Sequence, residues 1–166
     1  MDELTLFDGG SAVISPCEEY RYELVRRWGN GPLLGWIMLN PSTADASQDD
    51  PTIRRCIGFA KAWCYDGIIV RNLFALRATD PRELKAHENP VGDDNLYHLG
   101  QCWQQNLTIA GWGGHRSAAD LIATNSGVRA QLESLNLSCL GTTGSGAPCH
   151  PLYLRSDTEP RTYHLT

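Results

Sequence analysis

Apolar and polar positions fall into a regular series of blocks along this chain. Residues 20–28 (YRYELVRRW) and 33–39 (LLGWIML) read as strands on either side of Gly29-Asn30-Gly31-Pro32, a turn signal of the hairpin type. The second of these is apolar almost throughout, as a central strand covered on both faces is. A polar stretch from Asn40 to Pro51 follows, and then Ile53, Cys56, Ile57, Ala60 and Trp63 recur at helical spacing, which predicts a helix over about 52–64. Asp50-Pro51 suits its start, as cap and first-turn proline. The block then recurs: a strand at 67–73 (GIIVRNL), a long loop over 74–81 and a helix near 93–105. A third strand at 107–112 (LTIAGW) precedes a helix near 117–135, and a short strand at 137–140 (LSCL) leads into a glycine-rich loop at 141–146. Strands separated by helices predict an α/β fold, a three-layer α/β/α sandwich around a mostly parallel sheet.

In such sheets ligands bind beyond the carboxyl ends of the strands, so the loops that follow them carry the candidate chemistry. These loops hold Asn40-Pro41-Ser42 with Asp45, Asp49 and Asp50; Asn72 with Phe74, Arg77 and Asp80; Gly111 to Arg116; and Thr142 to His150 with Pro151, Leu152 and Tyr153. Each polar residue taken singly suits a turn or a cap. Their gathering on one edge favours a site.

Composition narrows the chemistry. The 166 residues, 42% of them hydrophobic and 20% charged, suit one globular domain. No apolar run approaches the roughly 20 residues of a membrane span, and Met1-Asp2-Glu3-Leu4 is acidic rather than a signal peptide. A cytoplasmic, monomeric protein is expected, with residues 1–19 as an acidic leader and 20–166 as the domain. The net charge of −5 is carried by residues 1–23, where Asp2, Glu3, Asp8, Glu18, Glu19 and Glu23 face the single Arg21. The rest of the chain is neutral, and arginine, suited to forked contacts with phosphate or carboxylate, supplies nearly all its cations.

Several chemistries are unsupported. The six cysteines form no CxxC pair, so a structural zinc is not expected, and Cys56 and Cys64 suit small buried hydrophobes on one helix. Gly144-Ser145-Gly146 lacks the Gly-Lys-Ser/Thr of a phosphate loop, no Gly-x-Gly-x-x-Gly follows the first strand, and no serine sits in a nucleophile elbow. Asp45, Asp49 and Asp50 read as caps and solvated charge before a metal site, so no metal and no cofactor is expected. What remains is an asparagine after each of two buried strands and a late His-Pro. Asparagine offers donor and acceptor together, as the edge of a nucleobase or a held water requires. A loop histidine stabilises charge developing on a leaving group.

The segments LNPSTADASQDDPTIRRCIGFAKAW, RNLFALRATDP, NPVGDDN and HPLYL resemble a bacterial family known as domain of unknown function 1643, over about Tyr20 to Leu154. More distantly, the order of motifs is similar to the uracil-DNA glycosylase superfamily, an α/β/α sandwich whose members cut the bond between base and sugar. Met38-Leu39-Asn40-Pro41-Ser42 looks like the Gly-Ile-Asn-Pro-Gly loop of its mismatch-specific branch, Val70-Arg71-Asn72-Leu73 looks like its base-reading strand end, and His150-Pro151-Leu152 looks like its His-Pro-Ser loop. The resemblance implies that Asn40, with or without Asp45, orients the attacking water and that His150 stabilises the leaving base. It implies that Pro41, Ser42, Asn72 and Phe74 hold the base, Phe74 by stacking. Leu152, Tyr153 or Leu154 would wedge the duplex, and Arg71, Arg77, Arg116 and Arg155 would contact phosphate. Ser42 replaces a glycine of that loop, and the iron–sulfur cysteine spacing of some members is missing, with Cys17 and Cys102 the only echoes.

The function expected from this resemblance is hydrolysis of an N-glycosidic bond in DNA after base flipping. The use of Ser and Thr around the loops points to a damaged or modified base, such as a modified pyrimidine of phage DNA, and so to a defence role. The alternatives are an N-glycosidase acting on free nucleosides or nucleotides and a non-catalytic module that binds a nucleobase or a nucleic-acid end.

Overall fold

The apolar stretches pair with one another, because a strand without a polar face has to be covered on both sides. The computed structural model describes residues 9–42 and 48–166. In chain order these form β1 (Gly9–Ile14), β2 (Arg21–Arg27), β3 (Leu33–Met38), α1 (Pro51–Ala62), β4 (Gly67–Asn72), α2 (Pro81–Ala86) and α3 (Asn95–Gly100). They continue through a 3-10 turn at Gln101–Gln104 to β5 (Thr108–Ala110), α4 (Arg116–Thr124), α5 (Ser126–Ser134), β6 (Leu137–Cys139), a 3-10 turn at Pro151–Tyr153 and β7 (Arg161–Tyr163). The strands make one seven-stranded sheet in the order β1-β2-β4-β3-β5-β6-β7. Its centre, β4-β3-β5-β6, is parallel; β2 and β7 flank it antiparallel, and β1 pairs antiparallel with the outer edge of β2.

Alternate residues of the central strands feed two cores. Trp36 and Met38 of β3 and Ile109 of β5 pack with Ile53, Cys56, Phe59 and Ala60 of α1. Ile37 and Ala110 pack instead with Leu84 of α2, Leu99 of α3, Leu121 of α4 and Val128 and Leu132 of α5. The sheet is therefore covered by helix on both faces, which is why β4 is buried at all six positions. No described helix is long and apolar enough to cross a membrane.

The expected hairpin between the first two strands does not form. β4 inserts between them, antiparallel to β2 and parallel to β3. Gly29-Asn30-Gly31-Pro32 instead wraps around Asp66, the residue before β4. The Asp66 carbonyl accepts from the Trp28 and Gly29 amides at 2.9 and 3.1 Å, and its carboxylate accepts from the Gly31 amide at 2.6 Å. A Cβ on Gly31 would lie 2.5 Å from that carboxylate, so glycine is what lets the turn close over it. The turn chemistry was read correctly; its partner is a residue distant in sequence.

Other boundaries also moved. Gly9–Ile14, within the stretch set apart as a leader, is the edge strand β1. The loop over 74–81 leads directly into α2, where Asp80 and Glu83 form a reciprocal capping box with Pro81 in the first turn. The helix expected over 117–135 is two helices broken at Asn125, whose extended backbone interrupts the ladder. α1 starts as anticipated, with the Asp50 side chain accepting from the Ile53 amide at 2.8 Å.

Cys64 is not the buried partner of Cys56 but exposed, one residue past the α1 cap, with φ of 61°. The amides of Cys64 and Tyr65 donate to the carbonyls of Lys61 and Ala60, a Schellman closure that usually has glycine at this position. A left-handed L-residue costs roughly 1–2 kcal/mol, part of which glycine loses again through its freer unfolded state. Cys64→Gly is expected to stabilise the protein by about 0.5–1 kcal/mol, measured as a rise in the urea midpoint at constant slope.

Candidate functional site

The chain turns from β3 to β4 on one side of the sheet and, after β4, crosses back to β5 on the other. The loops leaving β3 and β5 therefore part in opposite directions and open a crevice at the carboxyl edge of the parallel strands, the usual place for a ligand. A pocket of about 660 Å³ occupies it. That is the volume of a site for a whole drug-sized ligand.

Each wall comes from a strand end. From β3 the chain runs into Asn40, whose Nδ2 donates to the carbonyls of Pro41 at 3.0 Å and Ala78 at 2.9 Å. With the amide nitrogen so used, Oδ1 is left as an acceptor on a residue lining the pocket. Pro41 and Ser42 line it beside Asn40, and the Ser42 hydroxyl lies 3.4 Å from the Asp50 carboxylate. Asp50 thus caps α1 and also contributes a carboxylate to the wall.

β4 contributes Asn72, which is 4% exposed and lines the pocket, and no side-chain hydrogen bond joins its amide to any described residue. Its backbone is pinned from behind by Asn95, fully buried, whose Nδ2 donates to the carbonyls of Asn72 and Leu73 at 3.0 Å each. Asn95 belongs to the NPVGDDN segment and positions Asn72 without touching the pocket.

The remaining walls follow β5 and β6. Trp112 is buried against the edge of the Tyr163 ring and shows its other side to the pocket. Gly113, at φ of +80°, turns the chain so closely that a Cβ there would lie 3.4 Å from that of His150. His150 and His115 cap their helical turns in the same way, Nδ1 accepting from the amide two residues on, Leu152 at 3.2 Å and Ser117 at 3.1 Å. In neutral His150 the proton must then reside on Nε2, as a donor. Arg55 of α1 holds the His150 turn by donating to the carbonyls of Pro151 and Leu154. Beside it Leu152 and Tyr153 stand exposed, Tyr153 at 86%, on the rim.

The site read from the sequence is thus brought together in part. Asn40, Pro41, Ser42, Asn72, His150 and Tyr153 line one pocket, with Leu152 beside them. Asp45 lies outside the described residues. Phe74 does not line the pocket: it is wholly buried among Leu73, Leu99 and other core residues, so it has no face to stack on a ligand. Trp112 is the aromatic that takes that place in the wall. Arg71 is 2% exposed and held on the α3 side by Glu23 at 3.2 Å, Gln105 at 2.7 Å and the Cys102 sulfur at 3.7 Å, so it is structural rather than a phosphate contact. Arg77 donates to the Glu18 carbonyl, and Asp80 pairs with Arg82 rather than with Arg77. Arg155 pairs with Asp157 on the surface, and Arg116 is exposed at the start of α4. No cluster of three or more His, Cys, Asp or Glu suited to a metal occurs among the described residues.

Two pocket residues escaped the sequence reading. Asp50 was taken only as a cap. Arg21, counted with the acidic leader, is 6% exposed and lines the pocket. Its Nε is buried without a partner, and no ion pair among the described residues includes it. The only local signal for it was a cation in an otherwise alternating strand.

Burial holds the His150 imidazole below its ordinary value of 6.5, the nearby Asp50 carboxylate opposing that in part. The folded state therefore prefers neutral His150, and below pH 6.5 the unfolded chain binds the extra proton. The stability tied to this group is complete above 6.5 and is lost as pH falls through the lowered folded value. Ring resonances of His150 should titrate below 6.5 by NMR, and His150→Gln should flatten the acid side of the stability profile. Titration at or above 6.5 would contradict a neutral, Nε2-protonated ring.

No curated protein and no solved structure matches the chain significantly. One family model does, over residues 21–152, which spans every described wall of the pocket except the Tyr153–Leu154 rim. On that match the chain belongs to the family described as Protein of unknown function (DUF1643).

Proposed function

We propose that this protein is a DNA glycosylase that hydrolyses the N-glycosidic bond of a flipped-out, modified base. The observation that carries the reading is the convergence, in one pocket at the switch point of the sheet, of two asparagine side chains with unused hydrogen-bonding groups and a neutral histidine whose Nε2 carries the proton. The similarity of these strand ends to the uracil-DNA glycosylase superfamily gives the three residues an order of roles. Asn72 reads the edge of the base. Asn40 Oδ1 accepts from a water and aims its oxygen at the sugar carbon.

As the bond from that carbon to the base breaks, its electron pair leaves with the base, and the His150 Nε2–H stabilises the resulting anion. The water oxygen bonds to the sugar carbon and gives up a proton. Asp50 is the carboxylate in the described wall able to take it, and the base is protonated on release. Trp112 supplies the apolar surface first assigned to Phe74. The 660 Å³ pocket exceeds what a bare base fills, which supports a bulky base such as a modified pyrimidine. The exposed Leu152 and Tyr153 on the rim suit an apolar wedge that replaces the extruded base in the stack.

One observation favours a second reading, an N-glycosidase of free nucleotides. Of the four arginines first assigned to phosphate, Arg71 is buried and paired and Arg155 is paired with Asp157, so the basic footprint around the pocket is thin. The readings separate by substrate. Purified protein incubated with normal, uracil-containing and modified DNA should produce alkali-labile abasic sites in at least one modified DNA. Asn40→Ala and His150→Ala should each slow release by about 100-fold or more. Release from nucleotides but not from polymer would favour the second reading. No release from any substrate, or variants as active as the parent protein, would sink both.

A further inference from the structure

We propose that the pocket is built for an anionic ligand, whose oxyanion, a carboxylate or a phosphate, is seated on Arg21. The protein has two arginines buried on β-strands of the sheet, and their surroundings differ. Arg71 has a carboxylate, an amide oxygen and a sulfur around its guanidinium. Arg21 is buried to 94%; its backbone amide donates to the Ala75 carbonyl at 3.0 Å, and its side chain makes no hydrogen bond or ion pair with a described residue. A guanidinium carries five N–H donors and no acceptor, so every one of them here lacks a described protein partner.

Leaving such a charge buried and uncompensated is costly, and proteins keep one where something outside the chain supplies the counter-charge. The pocket carboxylate does so only in part. Asp50 favours the charged Arg21 through space but forms no ion pair with it, its carboxylate accepting from the Ile53 amide and lying 3.4 Å from the Ser42 hydroxyl. Burial, and after it the charge of Arg77, disfavour the protonated Arg21, and the Asp50 carboxylate opposes them only in part.

An independent feature points the same way. Asn72, 4% exposed, lines the same pocket with an unpartnered side-chain amide. Two nearly buried polar side chains, both without side-chain partners among the described residues and both on one cavity, describe a ligand with an anionic group and a neutral polar edge. The volume accommodates both at once. What the anion is attached to rests on the glycosylase reading: it is either a substituent on the excised base or a phosphate of its nucleotide. A forked, charge-assisted contact to Arg21 serves either source.

Calorimetric titration of the purified protein with two matched pairs tests this. The pairs are uracil against 5-carboxyuracil, and thymidine against thymidine 5′-monophosphate. The anionic member of at least one pair should bind about tenfold tighter than its parent, as a hydrogen bond to a charged group is worth. Inorganic phosphate should compete. A response in the first pair places the anion on the base, and a response in the second places it on the backbone. Arg21→Gln should collapse the preference, Arg21→Lys should restore part of it, and Arg21→Gln should melt a few degrees higher without ligand, since it removes an unpaired buried charge. A structural arginine would do the opposite on melting.

Should Arg21→Gln fail to fold, phosphate competition on the parent protein still decides. Equal affinities within both pairs, with no effect of phosphate, would overturn the anion site. If the anionic preference holds but DNA containing 5-carboxyuracil releases no base and no other DNA does, the glycosylase reading falls and the anion site stands. If some DNA is cut by the parent protein while the affinities within both pairs are equal and phosphate does not compete, the anion site falls and the glycosylase reading stands.

Discussion

The parallel ladder of β3 with β4 on one side and β5 on the other is the constraint on which the rest of this structure depends. Because both neighbours run in its direction, their carboxyl ends share one edge, and the chain has to leave that edge toward opposite sides of the sheet. A crevice there is a consequence of connectivity, not of any single loop. The polar residues that follow each strand then have one place to go, and they meet in it.

Holding that edge open takes polar groups, buried or half-buried, that the core itself does not need. Asn95 spends its amide on two carbonyls behind Asn72, Arg55 ties the His150 turn to α1, and Asp66 anchors the turn that lets β4 enter between β2 and β3. Each removes freedom from a strand end or loop without entering the pocket. The groups inside it, Arg21, Asn72 and the Asn40 oxygen, are by contrast under-satisfied. Among the described residues, orphaned polar atoms also occur behind the cavity, at Asn95 Oδ1 and Trp36 Nε1, but Arg21 and Asn72 are the two that line it.

Legibility in the sequence followed the range of the interaction concerned. Strands β3 and β4 and helix α1 were readable because an unbroken apolar run and an Asp-Pro cap act within a few residues. Asn40, Asn72 and His150 were placed near one another because each follows a strand of a parallel sheet. Phe74 failed for the same kind of reason in reverse: two residues beyond Asn72 the chain has left the strand, and the core claimed the ring. Arg71 failed because strand alternation puts it on the face opposite Val70 and Asn72, where Glu23 waits for it. The hairpin failed because Gly29 to Pro32 announces a turn but not what the turn encloses.

By itself the sequence determined the α/β alternation, the family, and which loops follow which strands, since these rest on local periodicity and short motifs. Only the tertiary structure decided the strand order, the burial of Phe74 away from the pocket that Trp112 lines, and the standing of the arginines. Arg21 is the clearest instance. In the sequence it is one cation among six carboxylates. In the fold it forms no ion pair with any described residue and lines the cavity, because desolvation and pairing are properties of a place in space and not of a position in the chain.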